Sequence, residues 1–404
     1  MKIAVVVHGR FHAFEFIRSL RRRGHEAVVF TNYPVWAARR LGIDPAWVRS
    51  FWFHGVISRL CAAFTGRMGI RYPESFFHPW FGRWAKKNLE RERWDVVHAW
   101  SGVAEESLRN RAKIGGIHVL MRGSAHIRTQ RRILEEERQR TGARIDCPGD
   151  WIIKREEKEY GLADRIAVLS SFARDSFLEQ GIPAEKLWLL PLGVDPEVFR
   201  LPEEAIQART RRILSGEPLR VLYVGAISFQ KGFLDLTTLA RSLQGEPFRF
   251  RALGPVSKEV LGLLHRSSDF LETVAKQPQR ELPLQYRWAD LFVFPTLQDG
   301  YAMVLAQAQA GGLPILTTTH CGGPDMIREG ETGWLVPIRS PAAMAERLRW
   351  CQLHRRELAE MATAIAQQGP LRSWEEVAED FETLCRKALA EGPFTGPDAA
   401  EGKS

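Results

Sequence analysis

The stretch Val221-Leu-Tyr-Val-Gly-Ala-Ile-Ser-Phe-Gln-Lys-Gly-Phe233 runs from four apolar residues through a glycine and a short loop carrying one lysine into a helical pattern. A short apolar run closed by glycine and followed by a helix-length amphipathic segment is the opening of a βαβ unit. The same alternation extends outward from it. Downstream, strands are predicted at Arg249–Leu253, Leu291–Phe294, Pro314–Thr317 and Gly333–Val336; upstream, at Ile3–Val7, Ala27–Thr31, Val96–Ala99, Val119–Arg122, Arg165–Leu169 and Leu187–Pro191. Strands separated by helices imply parallel sheets, here two doubly wound α/β domains. Between the two series, Gly193–Glu217 holds Pro196, Pro202 and many charges without a strand period, and reads as a linker with an exposed short helix. The expected domains are 1–194 and 195–370. A helical pattern covers 339–368, breaks at Gly369-Pro370, and resumes in a helix at 371–391 that Ser373 and Glu376 could cap. The tail, 392–404, reads as disordered.

With 404 residues, 45% hydrophobic and 26% charged, the chain is globular in composition. Its net charge of +9 favours anionic partners, nucleotide phosphates and anionic lipid among them. Nucleic acid is not expected as a partner, because charge alone points there and no binding motif does. Cys61, Cys147, Cys321, Cys351 and Cys385 are scattered and unpaired in sequence, which suits a reducing cytoplasm. The apolar run before His8 is too short for a signal-peptide core, and no run reaches the roughly 20 apolar residues of a membrane span.

Two segments carry chemistry. In the first, Lys231 lies in a loop between the strand that ends at Gly225 and the helix from Phe233, so an ammonium and free backbone N–H groups can converge on a diphosphate. In the second, Phe294-Pro-Thr-Leu-Gln-Asp299-Gly-Tyr-Ala-Met-Val-Leu-Ala-Gln307, a strand-to-helix turn directs the N–H groups of Gly300, Tyr301, Ala302 and Met303 at a ligand. Asp299 and Gln307 are eight residues apart and can share one helix side. The plain readings are a solvated lysine, an aspartate cap and an exposed glutamine.

Taken together, Val224-Gly225, Lys231-Gly232, Ala289-Asp290, Phe294-Pro295, Asp299-Gly300, Gly312-Leu-Pro314, Cys321-Gly-Gly-Pro-Asp325 and Gly330-Glu-Thr-Gly333 resemble the C-terminal domain of a family-four retaining glycosyltransferase of the GT-B fold. Ala163-Asp164, Ser170, Lys186 and Pro191-Leu-Gly-Val-Asp195 resemble the segment that joins it to the N-terminal domain. The resemblance implies two Rossmann-like domains facing across a cleft, the C-terminal helix crossing back to the N-domain, and transfer of a sugar from a nucleotide-diphosphate donor. Lys231 would then contact the diphosphate, and Asp299 and Gln307 would hold the ends of the family's Glu-x7-Glu motif, on sugar and ribose. Gly300 to Met303 would offer amides, and His126 in Arg122-Gly-Ser-Ala-His126 would meet the sugar from the N-domain. Lys276, Gln277 and Pro278 would border the base. Ala226 stands where the family commonly has arginine, and Asp299 and Gln307 replace glutamates. These departures leave open a second reading, an impaired cleft that binds nucleotide-sugar or glycan without transfer.

On the acceptor side the expected residues are His8, Arg10 and His12 after the first strand, His98 at the end of another, and Arg122. The acceptor would be a glycan or lipid-linked hydroxyl. No Asp-x-Asp and no H-x-H or H-E-x-x-H spacing occurs, so no metal is expected, nor a cofactor beyond the donor itself. Residues 36–94 mix tryptophan and phenylalanine with arginine and lysine, which fits either a core and acceptor pocket or contact with an anionic membrane.

Overall fold

The computed structural model describes residues 1–368, 371–392 and 394. In the N-terminal domain the strands are β1 (Lys2–Val7), β2 (Glu26–Thr31), β3 (Val48–Ser50), β4 (Val96–Trp100), β5 (Ile117–Arg122), β6 (Arg165–Val168) and β7 (Leu187–Leu189). The C-terminal domain holds β8 (Leu219–Val224), β9 (Phe248–Leu253), β10 (Leu271–Val274), β11 (Leu291–Phe294), β12 (Ile315–Thr318) and β13 (Gly333–Val336). Ile3 to Val7 are fully buried, the pattern of a central parallel strand covered by helices on both faces.

The sheets are ordered β3-β2-β1-β4-β5-β6-β7 and β10-β9-β8-β11-β12-β13, and every pairing is parallel. Strand order reverses between β1 and β4 and again between β8 and β11. In open α/β sheets ligands bind at such switch points, beyond the carboxyl ends of the strands. The two-domain GT-B architecture expected from the sequence is therefore present.

The final helix, Trp374–Glu391, starts with the expected capping box, in which Ser373 and Glu376 each satisfy the other's backbone amide. It crosses back to the N-domain and packs on the helix Ala13–Arg22. Arg22 pairs with Glu375 at 2.5 Å, Arg23 with Glu382 at 2.9 Å, and Phe381 meets Phe16 with ring centroids 5.0 Å apart. Where the first domain ends, the Val194 amide donates to the Arg372 carbonyl, so both crossings between domains lie side by side.

Three expectations are corrected. The segment after residue 195 is more than a linker: beside the short helix Pro196–Phe199, in which Glu197 and Val198 are exposed, the helix Glu203–Leu214 packs into the C-domain, and its fully buried Arg209 donates to the carbonyls of Tyr286, Ala289, Gly311 and Gly312. The helical run after 339 is two helices, Pro341–Leu353 and Arg355–Gln367, because His354 leaves helical geometry with its ring stacked on Trp350. Strands β3 and β10 were not anticipated. Gly369-Pro370 and most of the tail from 393 onward lie outside the described residues.

Candidate active site

At the switch point of the second sheet, the loops after β8 and β11 meet. Gly225 directly follows β8, and four of the next five residues lead to Lys231 without regular structure. Gly232 follows with φ +75°, and a Cβ there would overlap the Pro295 carbonyl oxygen, so only glycine lets the lysine loop lie against the β11 loop. The result is that Lys231 Nζ stands 2.5 Å from Asp299 Oδ2 and 3.5 Å from the Gln298 carbonyl. Both side chains keep about a fifth of their surface exposed.

Asp299 also organises its own turn. Its Oδ1 accepts from the amides of Tyr301 at 3.2 Å and Ala302 at 2.9 Å, and Ala302 takes a left-handed backbone (φ +66°) to cap the helix Met303–Ala310. Two of the amides expected to be free are thus held by the aspartate in this state, a correction that follows from the short side chain folding back on its own turn. Gln307 is buried, not exposed, and its Oε1 accepts from the hydroxyl of buried Tyr286 at 2.9 Å. Gln277 is half-buried and accepts from Gln285 at 3.1 Å, while Lys276 and Pro278 are exposed at the outer edge of the sheet after β10.

The N-domain forms the opposite wall. A Cβ on Gly300 would overlap the carbonyl oxygen of Gly123, and the Ser124 hydroxyl donates to Gln298 Oε1 at 2.5 Å. Gln298 is fully buried, and its Nε2 has no partner among the described residues. It was missed in the sequence because a glutamine beside an aspartate carries no spacing signal. Nearby, Asp325 accepts from the Ser171 amide at 2.9 Å and His320 stacks on Phe172 at 4.6 Å, so the surroundings of the Asp299 turn are covered by the start of the N-domain helix Ser171–Leu178.

His126 lies at the start of the helix Ile127–Thr141, where its Nδ1 accepts from the Arg128 amide. That bond leaves the ring proton on Nε2. The ring is buried against Tyr160 and Phe177, and burial, with Arg122 adding to it, pushes its pKa down to about 4. It is therefore a neutral side chain next to the cleft wall rather than one standing in the opening.

The acceptor-side residues separate. His8 is packed with His54, His78 and Phe81 at the end of β1, and burial first, then its histidine neighbours, lowers its pKa to about 3. Arg10 lies half-buried in the turn after Gly9, whose amide donates to Asn32 Oδ1, and Phe11 beside it is 64% exposed with φ +42°. His12 sits between Trp100 and Trp374. Two residues leave the acceptor set. His98 is fully buried among Phe16, Trp100 and Phe381 because the returning C-terminal helix covers that face of β4. Arg122 is held inside the N-domain by Glu156 at 3.1 Å and by Gln130 at 2.6 Å.

Among the described residues, no group of three or more His, Cys, Asp or Glu side chains could hold a metal ion, and no helix is long and apolar enough to cross a membrane. The 36–94 region divides. Phe51, Phe77, Phe81 and Trp94 are core, whereas Trp36, Trp52, Phe53, Phe64 and Phe76 are exposed.

Comparison with known proteins supplies the family. Residues 10–198 match the family described as Glycosyltransferase Family 4, and residues 218–352 match Glycosyl transferases group 1. A putative colanic acid biosynthesis glycosyltransferase, WcaL of Salmonella typhimurium, is 29% identical over 213 residues, covering 50% of this chain and 49% of that protein. The chain thus spans about half the length of that curated relative. Among solved structures, sucrose-phosphate synthase from Thermosynechococcus elongatus superposes with a TM-score of 0.71 at 17% identity, over 96% of this chain and 99% of that one. Anabaena HepE in complex with UDP gives 0.67 at 13%, over 96% and 100%, and both likenesses are of fold. With one family match in each domain and the GT-B architecture between them, the chain belongs to the family-four, group 1 glycosyltransferases.

Proposed function

We propose that the protein is a retaining glycosyltransferase that moves a sugar from a nucleotide-diphosphate donor to a hydroxyl of a glycan or lipid-linked acceptor, in cell-surface polysaccharide or glycolipid assembly. The observation that carries this reading is the Lys231–Asp299 pair at the switch point of the second sheet, set on a strand-to-helix turn and facing the Gly123–His126 loop. The UDP held by HepE and the polysaccharide named for WcaL support a nucleotide donor and that setting.

In the mechanism, the donor diphosphate takes Lys231 as its counter-ion and draws on the amides of the Gly300–Met303 turn. Asp299, released from the lysine, turns to the sugar hydroxyls, and Gln307 faces the ribose. The leaving phosphate oxygen accepts the proton of the attacking hydroxyl on the same face. The protein then contributes positioning and stabilisation of the charge developing on the diphosphate, and no metal is needed. His8, Arg10 and His12 line the acceptor side. Thermal stabilisation by a panel of UDP-, GDP-, ADP- and CMP-sugars tests the reading, since a ligand of the folded state raises apparent stability. One hit names the donor.

Silence across the panel at millimolar ligand would favour the second reading, an impaired cleft. A specific observation supports it: Asp299 is engaged by Lys231 and by the Tyr301 and Ala302 amides, while Gln307 Oε1 is engaged by Tyr286.

We also propose peripheral docking of the N-domain on the inner face of the cell membrane. The helix Trp52–Met68 exposes Trp52, Val56, Leu60, Phe64 and Met68, and Arg59 and Arg67 on it and Arg71 just past its end are exposed as well. An apolar stripe rimmed by arginines suits anionic lipid. Cosedimentation with vesicles containing phosphatidylglycerol, and none with neutral phosphatidylcholine, is the expected result.

A further inference from the structure

Two helices, one from each domain, start at the donor cleft and are tied again away from it. The N-domain helix Ile127–Thr141 begins just after the Gly123–Ser124 turn that meets Gly300 and Gln298. The C-domain helix Phe233–Ser242 begins just after Lys231. In the first turn of the latter, Asp235 Oδ1 accepts from Arg140 Nη2 at 2.9 Å, and Arg140 also grips Glu137 on its own helix at 2.8 Å. From beyond β13, Arg339 reaches the same N-domain helix with three nitrogens: Nε to Glu137 at 3.1 Å, Nη1 to Glu136 at 2.9 Å and Nη2 to the Ile133 carbonyl at 2.9 Å. Glu137 and Asp235 are buried, and Arg132 shares Glu136.

Arg339 holds this position with a left-handed backbone, φ +59°, which a residue other than glycine rarely keeps unless its surroundings demand it. It stands in the turn after β13, and its guanidinium is anchored by three acceptors of the other domain. Asp235, Glu136, Glu137 and the two arginines would each be hydrated if the domains parted, so the ion pairs offset their own desolvation and leave closure near balance. A cleft that must admit donor and release nucleotide needs such a balance.

We propose that Arg140 and Arg339 are positioning residues that latch the two domains in the donor-competent arrangement, Arg140 acting through Asp235 on the helix that presents Lys231. The donor part rests on the function proposed above; the latch itself does not. Neither arginine touches the reacting atoms.

The test uses the full chain with Arg140→Gln, Arg339→Gln, Asp235→Asn, the double variant Arg140→Gln/Asp235→Asn, and Arg140→Lys. Small-angle scattering and amide hydrogen exchange are read without ligand, and donor KM and kcat are read with the nucleotide-sugar that stabilises the wild type. A latch predicts a larger radius of gyration and faster exchange in 127–141 and 233–242 for the glutamine variants. It also predicts a donor KM raised about tenfold with kcat changed less. The double variant should be no worse than the worse single, and Arg140→Lys should recover much of the loss. Unchanged scattering and exchange, or additive effects in the double variant, would overturn it, as would a lower melting temperature with the radius unchanged. If no nucleotide-sugar binds the wild type, the donor reading fails while scattering and exchange still decide the latch.

Discussion

Gly300 and Gly123 face each other across the domain boundary so closely that neither strand-end loop leaves room for a side chain on Gly300. The Asp299–Met303 turn and the N-domain wall are therefore in backbone contact, and the contact lies next to Asp299. Gly300→Ala should push the domains apart by the width of a methyl group while each sheet stays folded. A near-attack geometry tolerates little displacement, and about 1 Å costs on the order of 100-fold. The expected result is transfer reduced to that extent with an unchanged far-ultraviolet circular dichroism spectrum. Wild-type turnover would show that the catalytic state is more open than this one.

Among the described residues, Lys231 is the lysine whose ammonium meets Asp299, at 2.5 Å. Lys231→Ala removes the cation available to a leaving diphosphate, and loss of one such preorganised donor lowers kcat by roughly 100- to 1000-fold. Asp299→Asn keeps an oxygen for the Tyr301 and Ala302 amides but not the ion pair, so turnover should fall more than nucleotide affinity. Steady-state kinetics beside a nucleotide titration checks both, and full activity in Lys231→Ala would remove it from the site.

Gln307 and Tyr286 share one hydrogen bond in a buried setting. A glutamate at 307 would keep the tyrosine on one oxygen and offer the second, charged, to a ribose hydroxyl. Hydrogen bonds to a carboxylate are about twice as strong as neutral ones. Gln307→Glu should therefore tighten nucleoside diphosphate several-fold in calorimetry while inorganic pyrophosphate, which lacks the ribose, binds as before. Equal effects on both ligands would place residue 307 away from the ribose.

The sequence made the central strands and the neighbouring Lys231 and Asp299 loops readable, for reasons visible in the structure. Strands such as β1 and β11 are buried on both faces and must be apolar throughout, whereas β3 (Val-Arg-Ser) and β10 (Leu-Glu-Thr-Val) are edge strands with too few buried positions to declare themselves. The helix Glu203–Leu214 reads as solvated because it is dense in charge, yet Arg209 satisfies four carbonyls that no local pattern reveals. In the C-domain, Lys231 and Asp299 were legible as loop residues because each follows a buried strand, and those strands, β8 and β11, are neighbours. On the N-domain side, histidine type and position alone could not distinguish His8, near the switch point, from His98, which is sealed by a helix near the far end of the chain.

That sealing has a measurable consequence at His98. Its ring lies among Phe16, Trp100 and Phe381, and burial first, with His12 adding to it, pushes its pKa down to about 3. An unfolded histidine titrates near 6.5. Below that pH the unfolded chain binds a proton that the native chain refuses, so stability is present above about 6.5 and is lost progressively as pH falls toward 3. By pH 5 one such residue costs roughly 2 kcal/mol. His12 and His118, each lowered to about 4 by burial, add losses of the same sign. His98→Phe removes one of these contributions and keeps an aromatic of similar size in the cluster, so urea unfolding at pH 7 and pH 5 should show a smaller difference in the variant than in the wild type. An equal difference would mean that His98 already carries a proton in the native state, which would require the C-terminal helix to lift from β4.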